Sequence, residues 1–292
     1  KQAQMDMFED YFYQYNNWIN RQNKRTSGTG YADILKSLVE VIEEFSITNF
    51  LTQTLANTYA LPADYYFIDK LFYYPQVLST GTNTTVTAFK LTDGAATFSN
   101  LTSPYTPPVG SIIVNTTTST ECFVTNVDSP TVLSISGNIM NINDNYVIYN
   151  NENIKEVERV SQNKIFYLTS SPLTAPSAQF PAYVLEGNTV TVYPSVIGPN
   201  VGSSVFSQWT GTSIKCQYIR YPLSPQWTFV TLAGGEPIFN NTAASFQDFE
   251  LPDSDEPALI AKICQYVGIE IREADVYQFG TQELNEETQT TT

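Results

Sequence analysis

Apolar positions recur every three to four residues at both ends of this chain and closer to every two in between. Residues 4–20 place Phe8, Tyr11, Phe12, Tyr15, Trp18 and Ile19 at helical intervals, an aromatic stripe suited to packing on the next helix. Residues 31–58 carry the longest helical pattern. Ile34, Leu35, Leu38, Val41, Ile42 and Phe45 share one face, and Lys36, Glu40, Glu43 and Glu44 lie off it. Ser46 to Asn49 interrupts the pattern, and Phe50, Leu51 and Leu55 continue an apolar face beyond it. From residue 61 to 232 the period shortens. Strand-like runs fall at 65–68, 84–90, 111–115, 122–127, 132–136, 146–150, 165–169, 182–185, 189–193, 213–221 and 227–231. Turn formers such as Asp93-Gly94 and Pro107-Pro108 separate them, and Glu186-Gly187-Asn188 marks a tight hairpin. Many short strands with regular turns predict a mostly antiparallel β-sandwich or barrel, with no alternating βαβ units. The region around Gly234-Gly235 and Asn240-Asn241 reads as a flexible link.

The pattern turns helical again near the C-terminus. Asp253 or Ser254 is placed to cap a helix start, because a side-chain oxygen satisfies an orphan backbone N–H. Asp255 and Glu256 add negative charge at the positive end of the dipole, and Pro257 fits a first turn that needs no N–H. Leu259, Ile260, Ile263 and Val267 follow at helical spacing, and Gly268 is placed to stop the helix in the left-handed conformation. A short second element and an acidic, Thr-rich tail complete the chain. The whole is therefore α+β: an N-terminal helical region (residues 1–60), a β-rich body (61–235), and a linker, helix and tail (236–292).

Composition changes this picture in one respect. Hydrophobic content is 42%, but charged residues make up only 15%, against about 25% in typical domains. Tyr, Asn, Thr, Ser and Gln replace them, and such neutral surface is covered by a neighbour at small desolvation cost. The net charge of −15 argues against gripping nucleic acid, which requires cations to displace counterions from phosphate. An acidic wall repels passing phosphates, so acidity suits a conduit better than a clamp, and it equally serves solubility. Arg21, Lys24 and Arg25 cluster in one loop, either as a contact to DNA phosphates or an acidic partner, or as a solvated turn.

Candidate chemistry is sparse. The chain has no His, which removes the commonest general base and metal ligand. No phosphate-loop or dinucleotide fingerprint is present, and the sequence predicts no enzyme and no cofactor. Paired carboxylates such as Asp128 with Asp144, or Glu152 with Glu156, are the candidates for hydrolysis of a glycosidic bond. Asp253, Asp255 and Glu256 offer oxygen ligands for calcium but lack EF-hand spacing, and capping explains them more simply. Cys122, Cys216 and Cys264 are odd in number and far apart, without a CxxC pair; Cys264 reads as a buried thiol in a reducing compartment. No apolar run approaches the roughly 18–20 residues needed to cross a bilayer, and no signal-peptide pattern is present. The first residue is Lys1, not Met, so residues before it are expected.

Three segments carry a family resemblance. LPDSDEPALIAKICQYVGIEIREADVYQFG (residues 251–280), VERVSQNKIFYLTSSPLTAPSAQFPAYVLEGNTVTVYP (157–194), and CQYIRYP (216–222) followed by Pro225 and Trp227 are similar to virion structural proteins of crAss-like tailed bacteriophages. The matching blocks cover roughly the C-terminal half, in the expected order. The resemblance implies a ring protein of the head–tail connector, assembled in the host bacterial cytoplasm. It implies a homo-oligomeric ring, a dodecamer by connector symmetry, next to the portal protein and other connector or tail rings. Double-stranded DNA would pass through without sequence recognition. The residues expected at the subunit interface are Leu259, Ile263, Val267, Val276, Tyr277 and Phe279. A different class stays open: a head fibre, decoration or other carbohydrate-binding virion protein, with Trp209 and Trp227 as a stacking platform.

Overall fold

The computed structural model describes residues 1–23, 32–55, 57–75, 77–98, 109–151, 154–194, 213–232 and 234–290, with the backbone alone at 18–23, 32–37 and 286–290. The fold is α+β, with two curled, largely antiparallel sheets and helices at both ends of the chain. It divides into two compact units, Ile47–Tyr218 and a second unit made of Lys1–Ser46 with Ile219–Thr292.

Ile47–Tyr218 holds the sheets. The strands are β1 (Ser46–Phe50), β2 (Thr52–Leu55), β3 (Thr58–Ala60), β4 (Tyr65–Tyr73), β5 (Val77–Thr82), β6 (Lys90–Thr92), β7 (Ile112–Asn115), β8 (Thr120–Ser129), β9 (Val132–Ile135), β10 (Asn145–Tyr149), β11 (Lys155–Arg159), β12 (Ala182–Glu186), β13 (Thr189–Tyr193) and β14 (Ile214–Arg220). One sheet runs β1-β14-β4-β11-β12-β13-β3-β2, and the other β5-β10-β7-β8-β9-β6. Strand alternation explains the packing. In β10, Tyr146 and Ile148 enter a cluster with Leu91, Ile113, Val124 and Leu133. Val147 and Tyr149 point the other way, into a cluster with Tyr74, Val77, Ile112 and Val114 that Phe50 and Phe72 join. Both faces of β7 and β10 are therefore covered, which is why these strands read as unbroken apolar runs.

Three expectations fail here. Residues 46–60, read as the continuation of a helix, form β1, β2 and β3; Leu51 and Tyr59 are buried, whereas Leu55 is 71% exposed. The helical spacing of Phe50, Leu51 and Leu55 was incidental, and Thr52, Gln53 and Leu55 pair across to β3. Residues 165–169, read as a strand, belong to helix α3 (Gln162–Thr169), of which only Ile165 is buried. This helix bridges β11 and β12, which are parallel and need a crossover connection. One βαβ unit therefore exists within the antiparallel-rich sheet. Residues 84–90 are mostly irregular, and the strand there starts at Lys90.

The second unit holds α1 (Gln2–Asn23), α2 (Ala32–Glu43), α4 (Glu256–Ile271), α5 (Ala274–Thr290) and a two-stranded ribbon of β15 (Phe229–Thr231) and β16 (Pro237–Phe239). Within the aromatic stripe of α1, Phe8 is fully buried and meets Phe12, Phe45 and Tyr221 edge-on or tilted at 5.0, 5.1 and 6.1 Å. Among the described residues no helix is long and apolar enough to cross a membrane.

Candidate assembly surface

α1 and α4 form a clasp. Ala3, Met7 and Leu259 are buried together, with Leu251, Ala258 and Ile263 packed against them. Two reciprocal hydrogen bonds frame this contact: the Tyr11 hydroxyl donates to Asp255, and the Tyr266 hydroxyl donates to Asp6. Burial and the adjoining Asp255 raise the Tyr11 phenol above its ordinary range, and the bond to Asp6 raises that of Tyr266. Both tyrosines thus keep the protons they donate. Lys262 Nζ lies 4.0 Å from the same Asp6. The start of α4 differs from the capping expectation. Asp253–Asp255 form a 3₁₀ turn, and the N-cap Asp255 makes no side-chain cap bond; its carboxylate serves Tyr11 instead.

α4 also runs past Gly268. It ends at Arg272, which takes the left-handed conformation at φ 59°, and the Glu273 N–H closes the turn onto the Gly268 carbonyl at 2.9 Å. Gly268 has a packing role instead. A Cβ there would lie 2.6 Å from the Tyr277 nitrogen, and one at Gly280 would lie 2.6 Å from the Ala261 carbonyl oxygen. The element after α4 is not short but a 17-residue helix packed backbone to backbone against it. Gln265 Nε2 donates to Thr281 Oγ1 across the pair at 3.1 Å.

These contacts sort the expected interface residues. Leu259 is buried and Ile263 half-buried in the chain's own α1–α4 contact. Val276 is half-buried. Val267, Tyr277 and Phe279 are 42%, 42% and 55% exposed. Ile260 and Ile271 join Val267 at positions i, i+7 and i+11, which makes an uncovered apolar stripe along α4. Lys24 and Arg25 lie outside the described residues, as does the side chain of Arg21; so do Trp209 and Glu152.

Sequence reasoning missed a second surface. The expected flexible link is an ordered arm built from residues 221–232 and 234–250. At its root Arg220 grips Glu250 with two bonds of 2.8 Å, and the Leu223 N–H adds a third at 2.7 Å. These donors hold the Glu250 carboxyl below its ordinary range, Arg220 contributing most. Gln226 and Gln247 then bridge the two sides, Thr228 accepts from the Asn240 N–H at 3.0 Å, and β15 pairs with β16. Gly235 turns the tip at φ 87°. On one face Trp227 lies nearly parallel to Phe229 (5.4 Å, 23°) and Phe239 (6.4 Å, 12°). Val230 and Ile238 pair directly across the ribbon and alternate to the opposite face. All five side chains are at least half exposed. The signal lay in two apolar runs flanking Gly234-Gly235, but Pro237 in the second run hid its strand character. In Ile47–Tyr218, α3 and the segment after it expose Phe166, Tyr167, Leu173 and Phe180.

The candidate chemical groups are not brought together. Asp128 accepts from Lys90 at 2.6 Å and Ser134 at 2.7 Å, and these donors hold its carboxyl at about 2. Asp144 sits in a separate network with Asn115 Nδ2 and the Asn141 N–H, which lowers it as well. Glu156 faces Lys70 at 3.6 Å. Burial raises the Cys122 thiol to about 11 and the Cys216 thiol to about 12, so both stay protonated and inert. Cys264, expected to be buried, is half-buried. Among the described residues no group of three His, Cys, Asp or Glu is placed to hold a metal ion. No family model matches the chain, and no curated protein matches it.

Proposed function

We propose that this chain is a structural subunit of a tailed-phage virion, one ring of the head–tail connector through which DNA passes. The observation that carries this reading is the number of large apolar side chains left uncovered on ordered elements: along the arm, on α4 and α5, and on α3 and the segment after it. Large exposed apolar patches mark interaction sites in soluble proteins. These lie on preformed elements, which lowers the ordering cost of association. The resemblance of residues 251–280, 157–194 and 216–222 to virion proteins of crAss-like phages supplies the kind of assembly and its expected twelve copies. The acidity of the chain fits a channel that releases DNA readily.

The clasp changes which substitution tests this. Ile263→Asp would strike the chain's own α1–α4 contact, whereas Val267→Asp changes an exposed side chain. Val267→Asp is expected to keep the wild-type circular dichroism and thermal midpoint while abolishing oligomers in sedimentation. A Val267→Asp chain that assembles like wild type would remove α4 from the interface.

A second reading, a carbohydrate-binding fibre or decoration protein, draws on one observation. The exposed, nearly parallel rings of Trp227, Phe229 and Phe239 form a platform on which sugar rings could stack. Glycan-array binding by the purified monomer, lost in Trp227→Ala, would favour it over the ring.

A further inference from the structure

We propose that ring neighbours join end to end: the basic end of α1 in one copy, residues 21–25, docks on the acid-rimmed apolar face of the α4–α5 pair in the next. This rests on the ring reading and specifies its interface. The receiving face is set by the close approach of two helices. A Cβ at Gly268 would meet Tyr277, and one at Gly280 would meet Ala261, so α4 and α5 run antiparallel with these glycines turned inward. In an antiparallel pair, the residues just before the two contact glycines come out on the same side. That side carries Val267 and Phe279, and Ile260 and Ile271 extend it along α4; all four are exposed.

Carboxylates rim this face. Glu256 lies one turn before Ile260, Glu270 one turn after Val267, and Asp275 and Glu283 one turn to either side of Phe279, all of them exposed. Residues 256–290 hold seven Asp or Glu against two Lys or Arg, and one of those two, Lys262, lies beside Asp6 of α1. An apolar strip with negative margins selects an occupant whose apolar residues are flanked by cations. One segment of the chain meets that description. Residues 11–32 contain no Asp or Glu, and Arg21, Lys24 and Arg25 are the chain's one set of three cations within five residues, preceded by Tyr15, Trp18 and Ile19. The other uncovered surfaces do not meet it: from Tyr221 to Phe249 the sole charged residues are Glu236 and Asp248, and residues 166–180 carry no charge. Lys70, Lys90, Lys215 and Arg220 are matched by carboxylates of their own chain.

A chain's own Arg21 cannot reach the hairpin end of this face. Asp6 meets Tyr266 and Tyr11 meets Asp255, so α1 runs antiparallel to α4. Arg21 lies fifteen residues of α1 beyond Asp6, about 22 Å of helix. Glu270, Glu273 and Asp275 lie beyond Tyr266 in the opposite direction. An ion pair needs its groups within about 4 Å. The basic end and the acidic hairpin therefore pair between copies. A contact between unlike patches on identical subunits is heterologous, and its repetition closes a ring.

The test is charge reversal in the full-length chain. Arg21→Glu/Lys24→Glu/Arg25→Glu makes the end of α1 acidic, and Glu270→Lys/Glu273→Lys/Asp275→Lys makes the hairpin basic. Circular dichroism and thermal midpoints check that both variants fold, and Glu270→Gln/Glu273→Gln/Asp275→Asn serves as a milder hairpin variant. Sedimentation is expected to show wild type as a large oligomer and each reversed variant alone as a monomer. An equimolar mixture of the two should regain the wild-type mass, because each reversed α1 meets a reversed hairpin and each native α1 a native one. A chain carrying all six reversals should assemble alone. Either reversed variant assembling by itself like wild type would overturn this contact and leave the ring reading standing. A six-reversal chain that folds but stays monomeric would do the same. Wild type that stays monomeric at high concentration would overturn both readings, and binding of a Lys-rich peptide by that monomer would assign the face to a basic partner of another kind.

Discussion

Gly280→Ala separates two opposing effects whose sizes follow from the structure. At an unobstructed helix-interior position, Gly→Ala stabilises by about 1 kcal/mol, because Ala is the better helix former. At Gly280 the added methyl would lie 2.6 Å from the Ala261 oxygen and 2.9 Å from the Gln265 nitrogen, where ordinary contact begins near 3.4 Å. Both obstructing atoms are backbone of α4, so no side-chain tip can swing aside, and α5 must move off by several tenths of an ångström. Overpacking of this kind costs about 1–3 kcal/mol, and a rigid helix backbone places the cost at roughly 2–3. The net loss is then about 1–2 kcal/mol, or roughly a 5- to 30-fold larger open population of α5. Amide exchange by mass spectrometry on α5 peptides should show that acceleration. Gly94→Ala, with nothing within 4 Å of its new Cβ, should leave α5 unchanged. Slower exchange of α5 in Gly280→Ala, by the roughly fivefold that propensity alone gives, would refute the close approach of the two helices.

Two further outcomes follow from the same region. Arg272 carries a Cβ in the left-handed conformation that ends α4, so Arg272→Gly should stabilise the α4–α5 pair by about 0.5–1 kcal/mol, seen as slower exchange at the end of α4. The Glu250 carboxyl is depressed in the folded chain, chiefly by Arg220, so its stabilisation is complete above the ordinary glutamate pKa of about 4.3 and fades as pH falls through the lower folded value. Thermal midpoints of wild type should therefore exceed those of Glu250→Gln at neutral pH, and the gap should close on acidification below about pH 4; a gap that widens in acid would contradict the Arg220 clamp.

The sequence was most legible where one kind of burial dominates. β13 shows its period because Val190 and Val192 enter one packed cluster, and β10 reads as an apolar run because both of its faces are covered. α1 shows its stripe because Phe8 and Tyr11 pack against neighbouring side chains. Reading failed where tertiary context outweighed local pattern. Residues 46–60 mimic a helical face over a few turns, but strand pairing decides their state. α3 looks like a strand because Ile165, Phe166 and Tyr167 adjoin, while the parallel β11–β12 pair calls for a crossover. Gly268 looks like a stop signal, yet its value is the absence of a side chain beside Tyr277. Of the residues expected at a subunit interface, Val267, Tyr277 and Phe279 are exposed, whereas Leu259 and Ile263 pack in the chain's own α1–α4 contact. Sequence spacing cannot distinguish a helix face that meets its own α1 from one that meets a neighbour.

The account stands most directly on the assembly state of the purified wild-type chain, imaged by negative stain and averaged by class. It predicts closed rings with rotational symmetry. A uniform population of single chains at every concentration tried would contradict it.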